Sequence, residues 1–337
     1  MRLVHFERQP REGTYSIERV FQAVRGALPK PWKAEIVRCP SPQHSLWWFP
    51  IGILRAWKET GDVNHIVGDV HYTALGLPKS RSILTVHDLN RLDQLRGIRR
   101  TFYRWVYFSL PLRRCAVITA ISEKTGRRIA EEFPSVANRI VVVPDPVPDG
   151  YIYHPRPFNS RHPCILQVGT APHKNVERLV EAIKGIPCKL HIVGLLTDDH
   201  RQLLELSQVD YTNSVDISDE KMLDAYVQSD MVAFLSLAEG FGMPIIEAQA
   251  IGRPVIASDL SPMKEASGSG AVLVDPFNVG AIRHAVLQII EDEDTRKRIT
   301  AAGLKNAERF SKNTVANAYA HLYQLVARNA SSGTRRL

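Results

Sequence analysis

The sequence predicts an α/β protein with two doubly wound parallel sheets, and three observations lead to this fold class. Short apolar segments typical of buried strands alternate with amphipathic helical segments in both halves of the chain. A stretch rich in Pro, Asp and Gly, from Pro144 to Pro157, separates the two series. The length of 337 residues exceeds what one core usually holds. We therefore expect one domain over residues 1–150 and a second over residues 151–312.

Five strands and two helices are predicted in the first half, beginning with the strand RLVHF. A polar loop containing Gly13 follows, and then a helix from Ile17 to Leu28. The next two strands, VNHIVG and RSILTVHDL, each end in a loop that carries a histidine. The strand AVITAIS precedes an amphipathic helix from Glu123 to Phe133, and the strand RIVVV enters the proline-rich boundary.

The second half starts a new series of strands and helices. In chain order these are strand CILQVG, helix NVERLVEAI, strand KLHIVG, a helix near HRQLLEL, helix EKMLDAYVQS, strand MVAFLSL, helix IIEAQAIG, strand RPVIAS, strand AVLVDP and helix NVGAIRHAVLQIIED. In doubly wound sheets, ligands bind in the cleft beyond the carboxyl ends of the strands. The polar residues 331–337 are predicted to be a disordered tail.

The composition is that of a soluble globular protein, with 44% hydrophobic and 23% charged residues. The four cysteines form no CxxC pair, so we expect free thiols and a cytoplasmic location. The residues after Met1 lack the apolar core of a signal peptide, so we expect none. No apolar run approaches the roughly 18 residues that a membrane span needs.

The net charge of +8 is unevenly distributed along the chain. Residues 1–150 contain 23 basic and 14 acidic residues, a balance of +9, whereas residues 151–337 contain 20 and 21, a balance of −1. This asymmetry indicates that the two domains have different partners.

The stretch LSLAEGFGMPIIEAQAIGRPVIASD, residues 235–259, predicts a strand, a loop, a helix and a second strand. Pro244 suits the first helical turn because its missing N–H would be unpaired there, and Gly252 is the expected C-terminal cap. The N–H groups of Gly242 and Met243 then point beyond the strand ends. Together with the helix dipole they form a site for an anion such as phosphate.

Glu239 and Glu247 flank this predicted phosphate site, although carboxylates repel phosphate. They are better suited to accept hydrogen bonds from hydroxyl groups on either side of it. A nucleotide sugar has this layout, with a hexose on one side of the diphosphate and a ribose on the other.

These residues resemble a known family. EGFGMPIIE, followed by the pattern A-x-G-x-P-V-I-A-S, is similar to the E-x7-E motif of retaining GT-B glycosyltransferases of family 4. The segments SILTVHDL, AISEKTGRRIAEEF, VGTAPHKNVERLVEAI and VDPFNVGAIRHAV agree in order, and the resemblance is dense over residues 164–310 and thinner before them. It implies the GT-B fold, two Rossmann-like domains facing an interdomain cleft, with the donor held mainly by the second. It also implies that a C-terminal helix, here residues 313–330, crosses back to the first domain.

The resemblance assigns roles to single residues on the donor side. Glu247 matches the glutamate that binds the nucleotide ribose, and Glu239 matches the one that contacts the sugar hydroxyls. Lys174, in PHKN, matches the lysine that neutralises the diphosphate. Backbone N–H groups of three further residues lie near the sugar in such enzymes; here these are Phe241, Gly242 and Met243.

Other matches are looser. His87 matches a histidine at the lip of the first domain, near the sugar and its phosphate, and Gly13 stands in a loop that faces the diphosphate. Thr170 replaces an arginine often found after the Gly of the VG strand, His173 replaces an arginine before the lysine, and PDP replaces the usual PNG. These departures concern the geometry of the donor more than the fold. His71 is a weak candidate on the acceptor side, and His65 is more often structural than functional.

The segment from Arg96 to Arg114, RGIRRTFYRWVYFSLPLRR, contains six arginines and no acidic residue. A basic, aromatic helix of this kind suits an anionic membrane surface. It could equally be a core helix with an arginine-rich outer face. Nucleic acid is a third and disfavoured alternative, since the sequence contains no recognised nucleic-acid-binding module.

The sequence thus predicts a retaining hexosyltransferase that moves a hexose from a nucleotide-diphosphate sugar to a hydroxyl of a glycan or lipid-linked acceptor. The resemblance implies a reaction without metal or other cofactor. Peripheral attachment to the cytoplasmic face of a membrane is expected from the basic segment. Two alternatives remain open, a nucleotide-sugar epimerase and a non-catalytic GT-B protein that binds nucleotide sugars.

Overall fold

The computed structural model describes residues 1–9, 16–40 and 48–333, and these contain two six-stranded parallel sheets. This confirms the predicted α/β class. Contacts divide the chain into two compact units: Met1–Pro146 together with Lys312–Leu337, and Val147–Ser311. The sequence placed the first boundary four residues later, at residue 150.

The first unit is built on a sheet with the strand order β2-β1-β3-β4-β5-β6. The strands are β1 Leu3–Arg8, β2 Ala34–Cys39, β3 Val63–Ile66, β4 Ser82–Val86, β5 Val117–Ala120 and β6 Ile140–Val142. The helices are α1 Ser16–Ala27, α2 Trp48–Lys58, α3 Asn90–Gln94, α4 Gly97–Tyr103, α5 Leu110–Arg113, α6 Glu123–Glu132 and α14 Lys312–Gly333. Every residue of β1, β3, β4 and β5 is buried, as expected of parallel strands covered on both faces.

The second unit has the strand order β12-β11-β10-β7-β8-β9. Its strands are β7 Cys164–Val168, β8 Lys189–Val193, β9 Asp210–Ser214, β10 Met231–Phe234, β11 Val255–Ser258 and β12 Val272–Val274. Its helices are α7 Val176–Ile183, α8 Asp198–Ser207, α9 Asp219–Gln228, α10 Met243–Ile251, α11 Met263–Ser267, α12 Val279–Glu291 and α13 Glu293–Ala307. The order reverses between β10 and β7, so this is the switch point of the sheet, where a doubly wound fold places its ligand.

Helix α10 begins and ends as its sequence predicts. Gly242 precedes it with φ 120°, a conformation that residues with a Cβ rarely adopt. Pro244 lies in the first turn. Gly252 closes the helix with φ 84°, and its N–H bonds back to carbonyls of the last turn.

Helix α14 packs in the first unit through its apolar face. Its buried residues include Val315, Ala316, Tyr319, Tyr323 and Val326, in one cluster with residues of β1, α1 and β3. The helix continues to Gly333, so the predicted disorder of residues 331–337 is wrong for its first three positions. Once a helix has formed, each further residue adds one backbone hydrogen bond even where its side chain is polar, so α14 extends over 22 residues. The polar composition of residues 331–333 did not indicate this. Residues 334–337 lie outside the described part of the chain.

The basic segment, residues 96–114, is helical from Gly97 to Arg113, with π-helical geometry over Arg104–Ser109 between α4 and α5. Arg100 and Arg104 do not point freely to solvent, because both bind the Glu132 carboxylate, at 2.9 and 2.7 Å. The outward face instead carries Ile98, Phe102 and Trp105, which are 85%, 65% and 54% exposed. Arg96, Arg99, Arg113 and Arg114 are exposed as well, so the outer face is both basic and apolar, which agrees with the arginine-rich outer face of the core-helix alternative.

Candidate functional site

The second unit brings three of the predicted site residues together at the carboxyl ends of β7 and β10. Lys174 lies in a short 3-10 helix after β7, Glu239 in the loop after β10, and Glu247 on α10. The two loops are joined by a backbone hydrogen bond, because the Leu237 N–H donates to the His173 carbonyl at 2.7 Å. The site therefore rests on a fixed frame at the switch point of the sheet.

Lys174 and Glu239 form an ion pair. The Lys174 Nζ donates to Glu239 Oε1 at 2.6 Å, and the two side chains are only 17% and 16% exposed. The ammonium group also lies 4.8 Å from the centre of the Phe234 ring. A partly desolvated cation held by one carboxylate and one aromatic face is well placed to meet a second anion.

The backbone around Lys174 explains its position. Gly169, at the end of β7, has φ 88°, and a Cβ built there would lie 2.8 Å from Lys174 Cε. Any residue with a Cβ at this position would clash with the Lys174 side chain. Asn175 follows with φ 62° and its side-chain amide donates to the carbonyls of Leu235 and Pro276, at 3.1 and 2.8 Å, which fixes the start of α7.

Glu247 accepts a hydrogen bond of 2.6 Å from the hydroxyl of Tyr226, a fully buried residue of α9. Desolvation raises the pKa of Glu247 to about 7, although the Tyr226 hydrogen bond and the charge of Lys174 both oppose this rise. The side chain therefore changes its charge near neutral pH. Because the Lys174 ammonium acts on Glu247 and also binds Glu239, the two glutamates share one cation.

The start of α10 supplies backbone donors next to these side chains. Gly242 and Met243 stand at the N-cap and first positions, where helical N–H groups have no partner within the helix. Phe241 is buried and its ring meets the Phe310 ring edge to face at 5.5 Å. Its side chain is thus a packing element, and only its backbone is available to a ligand.

Thr170 and His173 stand where the resembling family often has arginines. The Thr170 hydroxyl donates to the Leu195 carbonyl at 2.7 Å, so it holds the loop after β8. His173 Nε2 lies 3.9 Å from Glu239 Oε1, and its side chain is 45% exposed. Among these residues Lys174 is the cation closest to Glu239.

The other three histidines considered, His65, His71 and His87, belong to the first unit. His87 Nε2 lies 3.1 Å from the Val67 carbonyl, after β4, and is half-buried. His71 is buried, with Nδ1 3.1 Å from the Tyr107 carbonyl, which gives it a structural contact. His65 lies inside β3 between Tyr323 and Thr85, in agreement with a structural role. Gly13 lies outside the described residues.

Two residues of the site were not found from the sequence. Tyr226 was seen only as part of an amphipathic helix, where a tyrosine cannot be distinguished from an ordinary core residue. Gly169 was noted as the glycine of the VG strand, but its close approach to Lys174 depends on φ 88°, which a sequence does not display. In the described residues no group of three or more His, Cys, Asp or Glu side chains is arranged to hold a metal ion.

Two family models match the chain. The model described as Glycosyl transferases group 1 matches residues 154–306, and that of Glycosyltransferase Family 4 matches residues 17–150. Each model therefore covers one of the two alternating series of strands and helices.

Curated relatives and solved structures agree with these matches. The chain is 26% identical to O-antigen chain mannosyltransferase B of Escherichia coli over 73% of this chain and 68% of that protein. It is 27% identical to O-antigen chain mannosyltransferase RfbU of Salmonella typhimurium over 69% of this chain and 67% of that protein. The crystal structure of Anabaena HepE in complex with UDP superposes with a TM-score of 0.75 at 16% identity, covering 96% of this chain and 100% of that one. The likeness to HepE confirms the GT-B fold. The two family models, which together match residues 17–150 and 154–306, show that the chain belongs to the glycosyltransferases.

Proposed function

We propose that this glycosyltransferase moves a hexose from a nucleotide-diphosphate sugar to an acceptor hydroxyl, with retention at the anomeric carbon, in glycan or polysaccharide biosynthesis. The observation that carries the proposal is the Lys174–Glu239 pair of 2.6 Å, with Glu247 within the field of the same lysine. The names of the O-antigen mannosyltransferases and the UDP in the HepE complex support the hexose and the nucleotide of the donor.

Lys174 stabilises the leaving group in this proposal. Negative charge builds on the diphosphate as the glycosidic bond breaks, and a cation already in place stabilises that charge without reorganisation. The N–H groups of Gly242 and Met243 act on the same charge from the start of α10. We propose that this makes the reaction independent of a metal ion.

The two glutamates orient the donor. Glu239 accepts hydrogen bonds from the hexose hydroxyls, and Glu247 accepts them from the ribose. Thr170 shapes the donor pocket through its hydrogen bond to the loop after β8. From the resemblance alone we further propose that His87 and Gly13 contact the donor. Attack on the same face as departure, steered by the leaving phosphate, would give retention.

The experiment that tests the proposal has two stages. A thermal-shift screen against uridine, guanosine and adenosine diphosphate sugars first identifies the donor. NMR of the product formed with a saccharide or lipid-linked acceptor then reports the anomeric configuration, with and without a chelator. We expect one donor to stabilise the protein, a retained configuration, and equal rates with the chelator. Conversion of the donor alone would indicate an epimerase, and inversion or a chelator-sensitive rate would contradict the mechanism.

We further propose peripheral attachment to the cytoplasmic face of a membrane through the basic segment, with a lipid-linked acceptor. No helix within the described residues is long and apolar enough to cross a bilayer. The face of Ile98, Phe102 and Trp105 supports the proposal, since apolar side chains beside basic ones suit the interface of an anionic bilayer. Arg96 and Arg99 lie beside this face and are exposed.

The double substitution Arg96→Glu/Arg99→Glu should weaken sedimentation with anionic vesicles and leave donor binding unchanged. Arg100 and Arg104 are unsuitable for this test because both bind Glu132. Each exposed arginine contributes on the order of 1 kcal/mol at low salt, so the double reversal should lower binding by a factor of at least about 30. Wild-type binding should fall as salt rises. Recovery of the wild type in the supernatant under every condition would rule out the attachment.

A further inference from the structure

Helix α2 exposes a second apolar face on the first unit. Ile51, Leu54 and Trp57 are 49%, 51% and 65% exposed, and their spacing of three residues places them on one side of the helix. Arg55 and Lys58 are exposed beside them. The helix contains no acidic residue.

The opposite side of α2 is firmly packed, so the exposed face is held in place. Gly52 lies so close to Tyr72 that an added Cβ would be 2.4 Å from its ring. Ala56 is fully buried. The Phe49 and Tyr72 rings stack with centroids 5.3 Å apart. Exposure of Leu54 and Trp57 is therefore a property of a well-anchored helix and not of a loose one.

A groove of about 740 Å³ adjoins this face. It is lined by Leu54 and Trp57 of α2, by Leu77 and Pro78, and by Arg114 at the end of the basic segment. At the other end of α2 the Trp48 and Tyr107 ring centroids are 6.1 Å apart. Helix α2 thus adjoins the basic segment at both of its ends.

We propose that α2 is a second contact with an anionic lipid bilayer, in which Ile51, Leu54 and Trp57 insert between the lipids while Arg55 and Lys58 bind their headgroups. The inference rests on the membrane attachment proposed above and extends it to an element outside residues 96–114. Tryptophan and aliphatic residues flanked by basic ones are typical of interfacial helices.

Charge favours a bilayer over a second copy of the chain. A two-fold symmetric contact through this face would bring the basic residues of the two copies into one interface, and like charges oppose such an association. The excess of +9 over residues 1–150 likewise favours an anionic partner. The three large apolar side chains on one side of α2 favour a partner with an apolar interior, which a lipid bilayer provides.

The test compares two double variants in sedimentation with vesicles of neutral lipid, with and without anionic phospholipid. Leu54→Gln/Trp57→Gln removes apolar surface from α2. Ile152→Gln/Leu206→Gln is the matched control, because these second-unit residues are 66% and 72% exposed. We expect the α2 variant to bind anionic vesicles at least about tenfold more weakly than the wild type. The control should bind like the wild type. Donor binding, measured by thermal shift, should be unchanged in both.

The depth to which Trp57 inserts into the bilayer is measured with the same vesicles through tryptophan fluorescence. Lipids with quenchers on their acyl chains should quench the wild type more than Trp57→Phe, which keeps an apolar ring at the same place. Equal quenching, or vesicle binding by the α2 variant that matches the wild type, would overturn the inference while the attachment through the basic segment stands. A dimer that dissociates in the α2 variant without any change in vesicle binding would assign the face to a second copy. If the wild type bound none of the nucleotide sugars, this result would instead contradict the proposed transferase.

Discussion

Replacing Lys174 should lower kcat by about 10²- to 10³-fold, which is the cost of removing one positioned donor from a developing anion. Lys174→Met is the informative variant, because it keeps an unbranched stem against Gly169 and the Phe234 ring while it removes the charge. The donor KM should change much less, since the diphosphate gains charge mainly in the transition state. Steady-state kinetics with the donor identified by thermal shift provides the measurement.

A matched control for this variant is Lys297→Met. Lys297 also forms an ion pair of 2.7 Å, with Glu293, but its side chain is 70% exposed on α13. Its loss should leave kcat and KM unchanged, because exposed pairs contribute little. If Lys174→Met raised only KM, the lysine would bind the ground state and the transition state equally, and its proposed role in leaving-group departure would be wrong.

The second large effect is expected at Glu247. Glu247→Ala should weaken binding of the nucleotide sugar by about 10- to 150-fold, the equivalent of the roughly 1.5–3 kcal/mol of a charge-assisted hydrogen bond. Glu247→Gln should keep the shape of the Glu247 side chain and remove its charge. Titration calorimetry of the folded variants measures both affinities. An unchanged affinity of Glu247→Ala would exclude the ribose contact, because that variant has no side-chain acceptor.

The pH dependence follows from the pKa of about 7. Above pH 7 the Glu247 carboxylate is ionised and accepts strongly, whereas below pH 7 it is protonated and one oxygen no longer accepts. Wild-type affinity should therefore fall by up to about tenfold between pH 8 and pH 6, the change in the ionised fraction of a group with this pKa. Glu247→Gln should show a flat profile over the same range.

Tyr226 provides a further check on this assignment. The hydroxyl donates to the ionised carboxylate and so lowers the pKa of Glu247. Tyr226→Phe should move the midpoint of the affinity profile to higher pH. A variant that lost affinity equally at every pH would assign Tyr226 a purely structural role.

The fold was largely predictable because its central strands carry an unambiguous signal. β4 and β10 are buried along their whole length, and their sequences SILTV and MVAF are rich in apolar residues. Glycine and proline marked the ends of α10 for equally direct reasons. These signals come from burial on both faces and from backbone conformations that few residues adopt.

Two of the four edge strands were missed for the opposite reason. β2 and β9 are the outer strands at one end of each sheet, and most of their residues are exposed or only partly buried. Sequences such as DYTNS then have neither an apolar run nor a regular alternation. Helix α13 was missed as well, since its sequence EDTRKRITAAGLKNA has only a weakly apolar face.

The site was predictable where chemistry depends on residue type and unpredictable where it depends on conformation. Glu239, Glu247 and Lys174 belong to motifs with a recognisable spacing, and the structure places them together. The hydrogen bond of Tyr226 joins α9 to α10, 21 residues apart, and no local pattern indicates it. Likewise, the pairing of Arg100 and Arg104 with Glu132 joins the basic segment to α6, and no local pattern indicates it.

The membership of α14 in the first unit has a consequence for synthesis on the ribosome. The apolar side chains of Leu3, Phe21 and Val63 are covered in part by residues 315–327, which are made after the whole second unit. Translation at about 5–20 residues per second leaves the first unit without this helix for roughly 10 to 40 s. The second unit, a single continuous stretch, meets no such delay. The nascent first unit therefore exposes this apolar surface until α14 has been synthesised, and truncation before α14 should leave it prone to aggregation.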